Sequence, residues 1–395
     1  MFRVKQYMKM FLQNILLPLF YRIYARRPVQ KGSVIFADAH HEEIPFSMRR
    51  MYETVTAQME RREKDRGSGN DAGGCRDGAV FTDVQVFVRD FGKMGYLEMI
   101  RYLIRFMKQY AAAEYVFICD YYLPVAACKK RPETTVVQLW HSCGLMKKIA
   151  YDTGEDIPAG YRGNMFGNYT WLTLSARACV PVHARALRIP EQRIRATGVS
   201  RTDYYFDKNW NDTCRKQFYE KYPEARGKKI ALWAPTFRGN AAHPVLQGLE
   251  AVRQAERNCP EDWYFLIKAH PHVDAHGQVS NCVIPTEELL CVADVLITDY
   301  SSVLFDYLIY EKPVILFAPD LAEYESGRGF YIDYRALPFP LIQEEDSSAL
   351  LRAVESSEKE YERYRDELKD WKVRYTGACD GHATERILKL ISEDK

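Results

Sequence analysis

The sequence predicts an α/β protein built from two Rossmann-like, doubly wound domains, and three observations predict it. Short apolar runs alternate with segments of helical period along the chain, the pattern of parallel strands covered by helices. Two such series occur, separated by the Tyr205–Asn211 region. The chain has 395 residues, more than one ordinary core accommodates and suited to two domains of about 150–200 residues.

In the first half the expected strands are Ser33–Ala37, Val84–Val88, Tyr115–Cys119, Thr135–Leu139, Thr170–Ser175 and Ile194–Thr197. Helices are expected near Ser47–Arg61, Gly95–Tyr110 and Ala178–Leu187. Glu63–Gly78, rich in Gly, Asp and charge, is expected to be a surface loop. In the second half the strands are Ile230–Ala234, Tyr264–Ala269, Val295–Thr298 and Val314–Phe317. Helices are expected over Trp210–Tyr222, Val245–Asn258, Thr286–Val292, Ser302–Tyr310, Ser347–Arg365 and His382–Ser392. The domains are then 31–207 and 208–395, with the last helix free to cross back. Ligands of such domains bind beyond the carboxyl ends of the strands, here in a cleft between the two.

Residues 1–30 precede the first strand. Arg3, Lys5, Lys9, Arg22, Arg26 and Arg27 flank an apolar stretch that is uncharged from Met10 to Tyr21. That is well short of the ~20 residues that span a bilayer, and no small-residue cleavage site follows it. The pattern suits a helix lying in an anionic membrane surface; the alternative is a first helix packed on its own protein.

Composition narrows the function. The formal net charge is +2, so overall charge does not point to nucleic acid. The ten cysteines are scattered and none has C-x-x-C spacing. They read as reduced, mostly buried thiols of a cytoplasmic protein rather than disulfides or a zinc site.

The strand ends carry the chemistry. After Val295–Thr298 comes Asp299-Tyr300-Ser301-Ser302, opening the next helix. A helix start offers free N–H donors and a positive dipole end to an anion. The residues three or so beyond the serines are Leu304 and Phe305, so no capping-box carboxylate takes those donors. Alone, such a junction is more often a plain helix cap. Its company changes the reading: Ala234-Pro235-Thr236-Phe237-Arg238 and Lys268-Ala269-His270-Pro271 end two more strands of the same half, and a loop holding Arg328 follows a fourth. Arginine suits bidentate phosphate contact. In the first half, Trp140-His141 closes a strand, and a histidine there suits a general base. Arg201 and Asp203 close another strand, either contacting ligand or pinning a hinge.

The ordered set Gln138-Leu139-Trp140-His141, Gly198-Val199-Ser200-Arg201-Thr202-Asp203, Ala234 to Arg238, Lys268 to Pro271, Asp294 to Ser302 and Arg328-Gly329-Phe330 resembles the CDP-glycerol glycerophosphotransferases, which include teichoic-acid primases and polymerases and related capsule enzymes. The resemblance runs over about residues 30–392 and implies a GT-B-like fold. The acceptor would lie on the N-terminal domain and a CDP-alditol (CDP-glycerol or CDP-ribitol) on the C-terminal one. It implies a monotopic protein on the inner face of the membrane of a Gram-positive cell, acting on a lipid-linked or polymeric acceptor. Carried over, His141 matches the proposed base and His270 the second active-site histidine. Arg238, Ser301 and Ser302 match pyrophosphate contacts, and the motif positions Thr236, Lys268, Thr298, Asp299, Asp306, Arg328, Arg201 and Asp203 are the further substrate-binding candidates. The family often has glycine after the Trp-His pair; this chain has Ser142-Cys143-Gly144. No cluster dictates a bound metal, and any Mg²⁺ would arrive with the donor. The compact length leans towards primase-like, few-unit transfer. The competing readings are a GT-B glycosyltransferase or UDP-sugar epimerase, and a scaffold that kept the fold without the chemistry.

Overall fold

The computed structural model describes residues 10–67, 79–154, 156–157, 161, 163–236, 238–240, 243–269 and 282–393. The chain divides into two compact units. The first holds the residues up to His141, Ile149–Asp203 and the chain from Ala378 onward. The second holds Ser142–Lys148 and Tyr204–Gly377.

The first unit is built on a six-stranded sheet of order β2-β1-β3-β4-β5-β6. Its strands are β1 (Gln30–Asp38), β2 (Asp83–Val88), β3 (Ala113–Ile118), β4 (Thr135–Gln138), β5 (Trp171–Thr173) and β6 (Ile194–Arg195). All its pairings are parallel. β1 is buried from Gly32 to Asp38 and β3 along its whole length, as expected of strands with both faces covered. The helix Tyr96–Tyr110 turns Leu103, Phe106, Met107 and Tyr110 inward, the spacing of one helical face.

The C-terminal helix Ala383–Glu393 belongs to this unit. Ile387 and Ile391 are fully buried in one core with Val34, Phe36, Tyr115 and Phe117. The Asp203 carboxylate fixes where that helix starts, accepting the N–H groups of Ala383 (2.9 Å) and Thr384 (2.8 Å). This satisfies two of the donors that a helix start leaves open.

The second unit carries a five-stranded parallel sheet of order β10-β7-β11-β12-β13 and a separate antiparallel hairpin, β8-β9. The strands are β7 (Lys229–Trp233), β8 (Arg238–Asn240), β9 (His243–Val245), β10 (Trp263–Ile267), β11 (Val295–Thr298), β12 (Val314–Phe317) and β13 (Leu341–Ile342). Its core joins Trp233, Val252, Phe265, Val295, Ile297, Ile315, Leu350 and Val354.

The expected strands are all present, with ends shifted by a few residues. β13 and the β8–β9 hairpin escape the sequence reading because two- and three-residue strands carry no periodic signal. Glu63–Gly67, expected as loop, continues the helix Phe46–Gly67; its Glu, Lys and Arg are good helix formers. Residues 68–78, the rest of that expected loop, lie outside the described residues. The single C-terminal helix expected over Ser347–Arg365 is two, Ser347–Glu355 and Ser357–Thr376, broken at Ser356.

Near the N-terminus a π-helical turn, Leu12–Leu16, leads into a helix, Leu17–Tyr24. Leu12, Leu17 and Tyr21 are buried; Tyr21 packs on Tyr110 with ring centroids 5.1 Å apart and its hydroxyl accepts the Arg131 N–H at 3.0 Å. The opposite side exposes Phe11, Ile15, Leu19 and Ile23, each about half accessible and four residues apart. No helix among the described residues is long and apolar enough to cross a membrane.

Gly198 shows how tightly the returning helix is seated. Its φ is +86°, and a Cβ there would lie 2.3 Å from the Ala378 carbonyl oxygen and 2.8 Å from Ala383 Cβ. Gly198→Ala is expected to destabilise by more than ~2 kcal/mol, since strained backbone and backbone overlap combine. Gly95→Ala, which meets nothing within 4 Å, should cost no more than the ~1 kcal/mol of a poorer N-cap on the helix Tyr96–Tyr110. Urea unfolding of both variants checks this; equal midpoints would refute it.

Candidate active site

Each unit brings a set of polar side chains to the carboxyl edge of its sheet. In the second unit the sets leaving β7, β11 and β12 meet. The backbone after β7 runs through Ala234, Pro235 and Thr236 and returns as β8 at Arg238. The Arg238 guanidinium donates from Nε to Asp320 Oδ2 (2.6 Å), from Nη2 to Asp320 Oδ1 (3.0 Å) and to Asp299 Oδ2 (3.1 Å), and from Nη1 to the Thr236 carbonyl (2.8 Å). Its carbon also lies 4.8 Å from the ring centres of Tyr300 and Tyr324, within cation–π range. Asp299 Oδ1 accepts the Thr236 N–H (2.9 Å), the Thr298 hydroxyl donates to the Ala234 carbonyl (2.7 Å), and the Tyr300 hydroxyl donates to Asp320 Oδ1 (3.1 Å).

The Arg238, Asp299 and Asp320 side chains are 15%, 5% and 10% exposed. Burial works against the arginine's charge, but the two carboxylates outweigh it and raise its pKa. Burial pushes the Asp299 carboxyl above its ordinary value, against Arg238 and the Thr236 N–H. Arg238 therefore braces three strand ends from within, in a way the sequence reading of it as a phosphate contact does not describe.

The serines differ. Ser302 occupies the N-cap position of the helix Val303–Tyr307, yet its side chain caps nothing. Ser301 Oγ accepts the Val303 N–H at 3.4 Å. The helix tightens at once, with N–H groups of Leu304 and Phe305 bonding the Ser301 and Ser302 carbonyls (3.2 and 3.0 Å), and it continues as a 3-10 turn, Leu308–Tyr310. The expected helix Ser302–Tyr310 is therefore a short, tight one. Asp306 is buried on it.

Arg328 sits on the same unit, its Nε donating to the Lys148 carbonyl at 3.0 Å. Lys148 N–H donates to the Gly329 carbonyl (3.1 Å), Tyr331 N–H to the Met146 carbonyl (2.9 Å), and Lys147 bridges to Phe330. The Ser142–Lys148 segment, which the sequence places among first-half residues, is thus part of the second unit. The Lys147 charge acts on Asp299. Lys268 lies just beyond β10, its Nζ donating to the Cys282 carbonyl at 2.7 Å. His270 lies outside the described residues.

In the first unit His141 lies just beyond β4. Its Nδ1 is 3.2 Å from the Cys119 carbonyl oxygen and 3.7 Å from Asp120 Oδ1. Both neighbours only accept, so Nδ1 carries the proton and Nε2 presents a lone pair. Trp140 before it has φ +62°, a rare conformation for a bulky residue and one found where a site is held against strain. Gln138 Oε1 holds the Trp140 N–H at 3.0 Å. The indole stacks on the His141 ring (5.2 Å, 24°) and meets His183 edge-on (5.3 Å). His183 is buried and pushed down to about 4 by that burial, so it is neutral packing. Asp203 is bonded to the last helix as described, and Arg201 is buried in the 3-10 turn Ser200–Thr202.

Of the expected site residues, Thr236, Arg238, Thr298 and Asp299 are drawn into one bonded cluster, with Ser301 and Ser302 directly after it. Asp203 and Arg201 are placed in the first unit's framework. The sequence reading missed Asp320 and Lys147; the one available signal was their position just past β12 and just past the Trp-His strand end. Among the described residues no three His, Cys, Asp or Glu side chains converge as a metal site.

Removing the Arg238 guanidinium leaves Asp299 and Asp320 buried without their counter-charge. Arg238→Leu is expected to cost ~3–5 kcal/mol, the range for breaking one side of a buried ion pair. Arg238→Leu combined with Asp299→Asn should recover part of it. Guanidinium unfolding of the single and double variants measures this, and a single variant as stable as wild type would refute the bracing role.

A sequence model of CDP-glycerol:poly(glycerophosphate) glycerophosphotransferases matches residues 19–393. The teichoic acid ribitol-phosphate primase of Bacillus spizizenii is 28% identical over 98% of both chains. The poly(ribitol-phosphate) polymerase of the same organism is 33% identical over 71% of this chain and 47% of its own length, so the chain spans about half of that relative. The teichoic acid glycerol-phosphate primase of Bacillus subtilis is 28% identical over 70% of this chain. Among solved structures, the wall teichoic acid polymerase TagF superposes over 99% of this chain and 98% of its own with a TM-score of 0.70 at 20% identity. A putative UDP-N-acetylglucosamine 2-epimerase of Listeria monocytogenes superposes less well, at 0.53. With the match running from the first helix to the last, the chain belongs to the CDP-glycerol:poly(glycerophosphate) glycerophosphotransferase family.

Proposed function

We propose that this protein transfers an alditol phosphate, ribitol phosphate or glycerol phosphate, from a CDP-alditol to a hydroxyl of a lipid-linked acceptor in teichoic-acid synthesis, releasing CMP. The observation that carries this reading is the family match across residues 19–393. The end-to-end alignment with a ribitol-phosphate primase favours CDP-ribitol as donor and transfer of one or few units.

In the reaction the acceptor oxygen attacks the β-phosphorus. His141 Nε2 takes the hydroxyl proton, the new O–P bond forms, and the bond to CMP breaks with its electron pair leaving on CMP. The imidazole is pre-set for this by the Cys119 carbonyl at Nδ1. CMP is a competent leaving group, so no strong general acid is required. On the second unit the Ser301 and Ser302 hydroxyls receive the diphosphate, with Lys147, Lys268 and Arg328 supplying positive charge. Arg238 acts by holding the Asp299–Ser302 turn in shape. His270 is assigned the second active-site histidine on family resemblance. Mg²⁺, if required, accompanies the donor.

We further propose that the exposed Phe11, Ile15, Leu19 and Ile23 stripe lies in the cytoplasmic membrane surface, with Arg22, Arg26 and Arg27 against anionic headgroups. The helix then packs on its own protein by one side and on lipid by the other, which joins the two readings of residues 1–30.

Three measurements test these readings. Purified protein with CDP-ribitol or CDP-glycerol and a lipid-linked disaccharide acceptor should release CMP and add alditol phosphate by mass spectrometry; turnover of a UDP-sugar alone would end the assignment. His141→Ala should lower turnover by about 10²–10⁴-fold with unchanged donor binding, and near-normal turnover in a folded variant would remove His141 as base. Ile15→Glu with Leu19→Glu should abolish co-sedimentation with phosphatidylglycerol vesicles while leaving the melting temperature within a few degrees. Undiminished vesicle binding would place the membrane contact elsewhere.

A further inference from the structure

The first unit holds a second histidine at the same sheet edge as His141. Asp38 is the last residue of β1, and its side chain is 1% exposed. A carboxylate so placed must be compensated by hydrogen bonds. Asp38 Oδ1 accepts the backbone N–H groups of His40 (2.8 Å) and His41 (3.0 Å) and lies 2.8 Å from His41 Nδ1. The Cys119 thiol points at Asp38 Oδ2 from 3.7 Å. The two backbone bonds alone would make the turn. The ring bond adds an orientation: it fixes the imidazole with Nδ1 facing inward and leaves a half-exposed ring, 52% accessible, with Nε2 outward.

Strand register puts this pair at the same sheet edge as His141, with the end of β3 between them. Ala37 pairs with Ile118, and Ile118 with Gln138, so Asp38, Cys119 and Leu139 end three adjacent strands at one level. His41, Asp120 and His141 follow within three residues of that level. Asp120 stands between the two histidines. Its Oδ1 is 3.7 Å from His141 Nδ1, and its charge also acts on His41, as does that of Asp90. Asp120, His141 and His41 side chains are all a third or more accessible. The carboxylates Asp38, Asp90 and Asp120 make this edge unwelcoming to a phosphate and well suited to hydroxyl groups, which donate to carboxylates. The hydrogen bond to Asp38 outweighs partial burial and holds the His41 pKa above its ordinary value. The outward Nε2 on one side and the Asp120 carboxylate, an acceptor, on the other offer a hydroxyl seated here two hydrogen-bond partners.

We propose that His41, oriented by Asp38, forms with Asp120 a polyol- or sugar-hydroxyl-binding subsite that seats the acceptor next to His141. This rests on the acceptor-side reading of the first unit given above. His41 does not exchange a proton in the transfer; it binds a hydroxyl that is not the attacking one.

The test is steady-state kinetics on full-length protein with CDP-ribitol and with CDP-glycerol, using lipid-linked disaccharide with and without a terminal glycerol phosphate as acceptors. Wild type is compared with His41→Ala, His41→Asn and Asp38→Asn, and donor Kd is measured by calorimetry. A lost hydrogen bond in a polar subsite is expected to raise the acceptor KM by about 10–100-fold. Donor Kd and kcat should change by less than about threefold, because neither the diphosphate contacts nor the base is touched. His41→Asn, which keeps a donor, should recover part of the loss, and Asp38→Asn should move KM in the same direction as His41→Ala. An acceptor KM unchanged in all three variants overturns the subsite and leaves the transferase reading intact. So does a parallel loss of donor affinity, which marks a structural role. If His41→Ala does not fold, the asparagine variants decide. Wild type that turns over neither donor defeats both readings together.

Discussion

The carboxyl edge of the second unit's sheet depends on one guanidinium. β7, β11 and β12 end in three separate loops that carry Thr236, Asp299 and Asp320, and Arg238 bonds to all three. Parallel strands bring their ends to one place but do not define the loops that follow. Here a largely buried, nearly saturated arginine does so, flanked by Tyr300 and Tyr324. Such a buried charge network is weak evidence for net stability and better evidence for a fixed arrangement. The arrangement it fixes is the turn that presents Ser301 and Ser302.

The first unit solves the matching problem with strain and stacking. A tryptophan at φ +62° needs its surroundings to hold it, and it has Gln138 at its N–H and two imidazoles on its ring. One of these, His183, is buried and neutral. The other, His141, is accessible, with its inner nitrogen on a carbonyl. The same residue type is thus packing in one place and an accessible ring in the other, and burial decides which. The Asp38–His41 pair, two strand ends away on β1, follows the second pattern, with a carboxylate in place of the carbonyl.

The N-terminal helix has two apolar sides, which explains why neither reading of its sequence excluded the other. Leu12, Leu17 and Tyr21 meet the protein, and Tyr21 is tied to Arg131 and Tyr110. Phe11, Ile15, Leu19 and Ile23 face away at four-residue spacing. An apolar stripe of that length is unusual on a free surface, and the basic Arg22, Arg26 and Arg27 lie beside it in the chain.

By itself the sequence determined the α/β class, the long strands and most helices, and the strand-end positions of the candidate site residues. These follow from periodicity and from local chemistry that neighbours in the chain supply. It also carried the family resemblance, through motifs spaced along nearly the whole chain. Only the tertiary structure decided the pairings made across that spacing. It took Arg238 inward to two carboxylates 61 and 82 residues away and turned Asp203 into the cap of a helix 180 residues on. It moved Lys147 to the second unit and set His41 on a buried aspartate at the same sheet edge as His141. A side chain's partners depend on which strand ends become neighbours, and no local pattern encodes that. The two-residue strand and the tight turn after Ser302 were illegible for the related reason that tertiary packing, not propensity, holds them.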